Sequence, residues 1–215
     1  MTVALHGYRY SVYAWIARFA LHEKGVDYTW VEVDPFAADV PAAYLDLHPF
    51  CRVPTLVDGG FTLYETGAIT RYIDEKFDGP PLRPTAPEAR ARVDQILSIV
   101  DSYVYWPLVR QVFSHGVFAP RMGGPADRAE YDRGLAAAPR VLDALERLAA
   151  GGNYLVGETL TLADIHVAPM MSHFTAAADG MALVEQRARL RTWWSVVSTR
   201  PAFIETMPPL PEPPS

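Results

Sequence analysis

Between Gly79 and Pro87 the chain reads Gly-Pro-Pro-Leu-Arg-Pro-Thr-Ala-Pro, and this stretch restricts the fold more than any other. Each proline lacks a backbone N–H and fixes its own φ, so no helix runs through the segment and no central strand can use it. It divides the 215 residues into two parts with different patterning. Before it, short β-branched and aromatic runs alternate with helical spacing. After it, helix formers dominate. The pattern predicts an α/β domain over 1–78, a linker over 79–87, an all-helical domain over 88–207 and a Pro-rich, extended tail over 208–215.

Within the first part, Thr2 to His6 reads as a short strand leading to Gly7. Ser11 is placed to cap a helix from Val12 to Lys24, which Gly25 closes. Tyr28 to Val33 alternates as a second strand, and Asp34-Pro35 ends it. Residues 36–50 read as a loop holding a short helix. Thr55-Leu56-Val57 and Phe61 to Tyr64 are β-formers on either side of Asp58-Gly59-Gly60, a hairpin turn. Pro54, with no N–H to give a ladder, suits the first residue of that strand or an edge. Glu65-Thr66 then opens a helix running through Ile73. The order β-α-β-α-β-β-α describes a thioredoxin-like α/β unit. In the second part, Glu88–Val117, Ala126–Ala150, Leu162–Ala178 and Val184–Ser198 carry apolar residues at helical spacing and predict a helical bundle. Thr161-Leu162-Ala163-Asp164 matches a capping box, with Leu160 and Ile165 as its hydrophobic staple.

The ends of the hairpin and of two helices suggest chemistry. A hydroxyl and a carboxylate at the opening of a helix, Thr66 and Glu65, can take the carboxylate and the ammonium of an amino-acid headgroup. Backbone exposed beside Pro54 can accept an extended peptide as an added strand. Together they point to a small zwitterionic peptide. The net charge of −6 and pI near 5.5 argue against a nucleic-acid surface, which needs a basic footprint. Cys51 alone cannot form an internal disulfide and fits a reducing compartment. The first residues do not read as a signal peptide, and the uncharged run from Ile165 to Ala178 is too short to span a bilayer. His115, His166 and His173 lack metal-ligand spacing. A soluble, cytoplasmic protein without a metal, a membrane partner or a nucleic-acid partner is expected.

An α/β unit of this order, a proline linker and a helical second domain resemble the cytosolic glutathione S-transferases over residues 2–205. Leu5-His6-Gly7 followed by Ser11 resembles the first strand and catalytic loop of the serine-type classes, phi and theta, in a bacterial-style member. His48-Pro49-Phe50-Cys51-Arg52-Val53-Pro54 resembles their Asn-Pro-Phe-Gly-Gln-Val-Pro segment. Glu65-Thr66 resembles the Glu-Ser pair that holds the γ-glutamyl group, and Thr161 to Asp164 their buried helix cap.

The resemblance implies a homodimeric enzyme that joins glutathione, a cosubstrate rather than a cofactor, to a small hydrophobic electrophile. It implies that Ser11 donates to the glutathione sulfur and that Val53 pairs with the cysteinyl unit beside a cis Pro54. Glu65 and Thr66 would bind the γ-glutamyl end, with Arg52 in place of the usual Gln or Lys. Tyr8, Tyr10 and Tyr13 are alternative donors near Ser11, whose other reading is a plain helix cap. Tyr10, Tyr13, Tyr103, Trp106 and Phe113 are candidates for the electrophile pocket. Phe50 is either a dimer key or a core residue, and Cys51 either passive or redox-active. The His-Lys pair that holds the glycyl carboxylate in the phi class falls at Asp39 and Val40, which cannot replace it. Alternatives to a transferase are a glutathione-dependent isomerase, dehalogenase or peroxidase, or a non-catalytic binding or dimerisation module.

Overall fold

A computed structural model describes residues 3–149 and 151–211. The expected strand residue Thr2, the helix residue Ala150 and residues 212–215 of the tail lie outside the described residues. The chain forms two compact units, Met1–Pro81 with Glu205–Pro208, and Leu82–Ile204 with Pro209–Ser215.

The first unit runs β1 (Val3–Gly7), α1 (Val12–Glu23), β2 (Tyr28–Glu32), α2 (Ala42–Leu47), β3 (Thr55–Asp58), β4 (Phe61–Tyr64) and α3 (Thr66–Lys76). Its sheet has the order β2-β1-β3-β4, with β1 parallel to β2 and antiparallel to β3, and β4 antiparallel to β3. Pro54 lies immediately before β3, so an inner strand loses no ladder bond to it. Leu5, Leu56, Trp15, Ile16, Phe19, Ile69 and Ile73 form a dry core between sheet and helices. Gly7 is required by close approach, since a Cβ there would lie 2.5 Å from the Trp30 ring. α1 ends where Gly25 takes φ 65°, a left-handed conformation that a glycine adopts without strain.

The segment Glu205–Pro208 belongs to this unit although it follows the helical region in sequence. The Trp15 indole N–H donates to Thr206 Oγ1 at 3.0 Å with both residues buried, and His22 faces Glu205 at 3.6 Å. Lys24, the buried residue that caps the end of α1, donates to the Asp74 and Pro80 carbonyls at 3.1 and 3.2 Å.

The second unit holds α4 (Pro87–Ile99), a wide-wound continuation (Val100–Phe118), α5 (Ala119–Arg121), α6 (Arg128–Leu148), α7 (Leu162–Thr175), α8 (Ala178–Glu185), α9 (Ala188–Val197) and α10 (Pro201–Thr206), the last ending in the first unit's segment. The long helix expected from Glu88 changes winding at Val100 to a π-helix, which bonds i to i+5. Consistent with that spacing, the Ala119 N–H donates to the Ser114 carbonyl. Pro107 inside it contributes no N–H. Helices α8 and α10 are not among the four expected from the sequence pattern, which ends one helix at Ala178, begins the next at Val184 and ends it at Ser198.

α7 is buried on nearly every face, including Ile165, Val167, Met170 and Phe174. A helix apolar all round belongs inside. It begins with the capping box, in which the Asp164 carboxylate accepts from the Thr161 N–H and hydroxyl, the Leu155 N–H and the Trp193 indole at 2.8–2.9 Å.

Candidate functional site

The sheet register gathers the candidate residues. His6 of β1 pairs with Thr55 of β3, which pairs with Tyr64 of β4. The loop after β1, the segment before β3 and the turn after β4 therefore leave one end of the sheet in neighbouring positions. They carry Ser11, Arg52-Val53-Pro54 and Glu65-Thr66, respectively. The row also includes β2, because Gly7 pairs with Glu32.

Ser11 caps α1. Its backbone is extended (φ −77°, ψ 119°), and its Oγ accepts from the Ala14 N–H at 3.2 Å. The Trp15 N–H donates to the Ser11 carbonyl at 2.9 Å. Accepting uses the oxygen and leaves the hydroxyl proton for donation. The loop before it is tied down: the Arg9 N–H and Nε donate to Glu32 Oε1 at 3.0 and 3.2 Å, and the Trp30 indole donates to Oε2 at 2.9 Å. Burial alone would raise the Glu32 carboxyl, but the Arg9 and Trp30 donors bring it below its ordinary value.

Tyr8 packs edge-on against Tyr10 and Phe36. Burial, joined by the Asp34 charge, pushes the Tyr8 phenol above its ordinary value and keeps it protonated. Tyr10 and Tyr13 are half-buried in this unit.

The Val53–Pro54 peptide is cis, as the resemblance implied. The ladder starts at Thr55, so Val53 lies outside it. A residue absent from the sequence reasoning organises this turn. Buried Tyr44 of α2 donates its hydroxyl to the Arg52 carbonyl at 2.6 Å and lies 3.1 Å from Thr55 Oγ1, spanning the cis bond on both sides. A lone tyrosine in a short helix gives no sequence signal for that role, because both partners reach it only through the fold. Arg52 itself is exposed.

Two residues of the site adopt left-handed backbone. Cys51 has φ 50° and Glu65 has φ 71°. Cys51 occupies the position of Gly in the resembled segment, where such a φ carries no steric cost. Glu65 is exposed and stands at the N-terminus of α3, where its carbonyl accepts from the Ala68 and Ile69 N–H groups at 2.9 Å. Thr66 follows as the first helical residue, nearly buried. Strain of about 1–3 kcal/mol held in such a turn is typical of ligand clamps.

His48, directly before this segment, is 2% exposed. Its ring lies 4.6 Å from Tyr64, tilted by 31°, and 6.2 Å from Phe50. Its Nδ1 is buried with no hydrogen-bond partner among the described residues. Burial pushes the imidazole below its ordinary value, with the Glu65 charge opposing and the Arg52 charge assisting. Phe50, by contrast, is 68% exposed and meets Tyr64 edge-on.

The remaining candidates belong to the second unit. Tyr103 and Trp106 are exposed on the wide-wound segment. Phe113 is buried there instead, with its ring 4.0 Å from that of His173. Asp39 is exposed and Val40 half-buried in the loop after β2. No cluster of metal-ligating side chains occurs among the described residues, and none of their helices is long and apolar enough to cross a membrane.

Comparison with known proteins agrees with this geometry. The model of the N-terminal domain of glutathione S-transferases matches residues 5–81, and that of their C-terminal domain matches residues 128–193. Glutathione S-transferase F10 of Arabidopsis thaliana is 34% identical over 188 residues, 86% of this chain and 87% of its own. That relative is a plant protein, which does not support the bacterial style suggested by sequence alone. The structure of glutathione S-transferase III in apo form matches at a TM-score of 0.84 and 32% identity, covering 100% of each chain. The structure of glutathione S-transferase-I bound with lactoylglutathione matches at a TM-score of 0.85 and 26% identity, covering 96% of this chain and 99% of that one. The chain belongs to the glutathione S-transferase family.

Proposed function

We propose that the chain is a serine-type glutathione transferase of the phi or theta kind, which adds the thiolate of glutathione to small apolar electrophiles. The observation that carries this reading is the row His6–Thr55–Tyr64, which delivers Ser11, Val53 and Glu65-Thr66 to one end of the sheet. Strands lie about 4.8 Å apart, so β1 and β4 are separated by about 10 Å. A tripeptide extended at about 3.3–3.6 Å per residue spans that distance. Glutathione laid across these strands with its γ-glutamyl end at Glu65 and Thr66 would direct its sulfur, on the middle residue, toward the β1 side where Ser11 lies.

Each group has a role at a stated atom. Glu65 attracts the ammonium of the γ-glutamyl headgroup, and the Thr66 hydroxyl with the N-terminus of α3 receives its carboxylate. Val53 pairs its backbone with the cysteinyl unit, held in place by the cis turn and the Tyr44 hydroxyl. Arg52 lies beside it. The Ser11 hydroxyl donates to the sulfur. A free thiol has a pKa of about 8.5, and lowering it by two units takes about 2.7 kcal/mol. A hydrogen bond to a charged group supplies about 1.5–3 kcal/mol, and the positive end of α1 adds about 0.3–1 kcal/mol. These are sufficient without a protein nucleophile. The thiolate then attacks the electrophile by displacement or conjugate addition. Within the first unit Tyr10 and Tyr13 remain candidates for contacting that second substrate, and within the second the exposed Tyr103 and Trp106 do, whereas Phe113, buried against His173, does not. We place the protein in the cytoplasm as a homodimer.

A non-catalytic binding module is the second reading, favoured by Asp39 and Val40 where the phi class carries its glycyl-carboxylate cations. Retention on immobilised glutathione, combined with turnover of a chlorodinitrobenzene-type electrophile, separates the two. Retention with turnover is expected. Retention without turnover of any electrophile in a broad screen contradicts the transferase, and failure of both contradicts the glutathione site.

A further inference from the structure

We infer that His48 is a positioning residue whose neutral imidazole holds the Tyr64–Glu65 turn in its glutathione-binding shape, so that protonating His48 weakens glutathione binding. The inference rests on the glutathione site proposed above and adds a control on it.

His48 sits between the two segments that would grip the tripeptide. On one side its ring lies on Tyr64, the residue before the strained Glu65; on the other its own chain leads through Cys51 to Arg52 and the cis turn. The Cys51 N–H donates to the His48 carbonyl at 3.0 Å, and the His48 N–H donates to the Tyr44 carbonyl at 2.9 Å. The backbone of His48 is therefore fixed, and only its ring state is free to vary.

A neutral imidazole leaves one nitrogen without a proton, and a bare buried nitrogen is tolerated more easily than a buried charged donor. The partnerless Nδ1 fits that bare nitrogen. The titratable and charged groups around the ring are Tyr44 from α2, Tyr64 from β4, Glu65 at the start of α3, and Cys51 and Arg52 on its own loop, with His6 of β1 behind Tyr44. Burial, the largest effect, and Arg52 disfavour an imidazolium, while the Glu65 carboxylate and a backbone hydrogen bond at His48 itself favour it; Glu65 is the one side chain among these groups that does so. A proton on His48 would consequently turn Glu65 inward to satisfy the new charge. Glu65 is the group assigned to the ligand's ammonium, so the two compete for one carboxylate. The asparagine of the resembled segment, which does not titrate, would lack this control.

The test compares wild type with H48Q and H48N, measuring the dissociation constant of glutathione by calorimetry and kcat at saturating glutathione from pH 8 to pH 4.5. The wild-type dissociation constant should rise more steeply than that of either variant as pH falls below 6.5, since a competing proton weakens binding progressively below its pKa. The kcat profiles should coincide, because the thiolate at Ser11 is untouched. Parallel dissociation constants across the range overturn the inference and leave the glutathione site standing. Absence of glutathione binding by wild type at every pH overturns both. If neither variant folds, the His48 ring is titrated by NMR in wild type with and without glutathione. Bound glutathione should lower its titration midpoint, and an unchanged midpoint overturns the inference.

Discussion

Two polar clusters in this molecule contain similar groups and behave in opposite ways. In the second unit, Asp164 is wholly buried and its two oxygens receive donors from Leu155, Thr161 and Trp193. In the first unit, Glu65 is exposed at a helix N-terminus with its backbone at φ 71°. Both carboxylates begin a helix after a β-rich or loop segment. The first is saturated by its own chain and fastens α7 to α9. The second is strained and faces solvent, which suits the γ-glutamyl clamp proposed for it. Saturation marks a carboxylate that builds the fold, and exposure with strain fits the binding role proposed for Glu65.

The largest effect should come from breaking the saturated cluster. Asp164→Ala leaves buried donors on Leu155, Thr161 and Trp193 unpaired, and should cost about 4 kcal/mol or more in urea unfolding. A loss below about 1 kcal/mol would mean that the cluster is not structural. Next is His173, buried in α7 beside Phe113, whose pKa burial pushes down to about 3. Its folded value lies below the ordinary 6.5, so the unfolded chain binds the proton first and stability falls as pH drops below 6.5. Between pH 6.5 and pH 5 wild type should lose about 1.6 kcal/mol through this group, and His173→Gln should lose correspondingly less. Equal acid sensitivity in the two proteins would contradict it.

Smaller effects should separate shape from binding in the first unit. Tyr44→Phe removes the donor to the Arg52 carbonyl and should cost about 1–2 kcal/mol, with a raised KM for glutathione and little change in kcat. An unaltered KM would remove Tyr44 from the site. Cys51→Gly relieves a left-handed backbone in a residue with a Cβ and should stabilise by about 1 kcal/mol in the same unfolding assay. Destabilisation would show that the thiol side chain makes a compensating contact.

Local signals carried much of the first unit. Ser11 and Gly25 bound α1 because a cap and a left-handed stop are properties of single residues, and Asp58-Gly59-Gly60 turns the hairpin for the same reason. Thr161 and Asp164 were legible because a capping box is written within four residues. What could not be read depended on distance along the chain. Tyr44 gains its role only when Arg52 and Thr55 come beneath it. Trp15 is fastened by Thr206, 191 residues away, so no local pattern could assign Glu205–Pro208 to the first unit. The wider winding from Val100 also left no mark, since a run this rich in apolar residues satisfies more than one helical period. Phe113 looked like its aromatic neighbours Tyr103 and Trp106, and only the packing against His173 separates it from them.

The sharpest measurement is the ionisation of bound glutathione, followed by ultraviolet thiolate absorbance against pH, in wild type and Ser11→Ala, with folding checked by circular dichroism because the cap is lost too. A wild-type value about two units below the free thiol's 8.5, returning close to 8.5 in Ser11→Ala, is the expected result. A depressed value that persists in Ser11→Ala would contradict the assignment of Ser11 as the donor to sulfur.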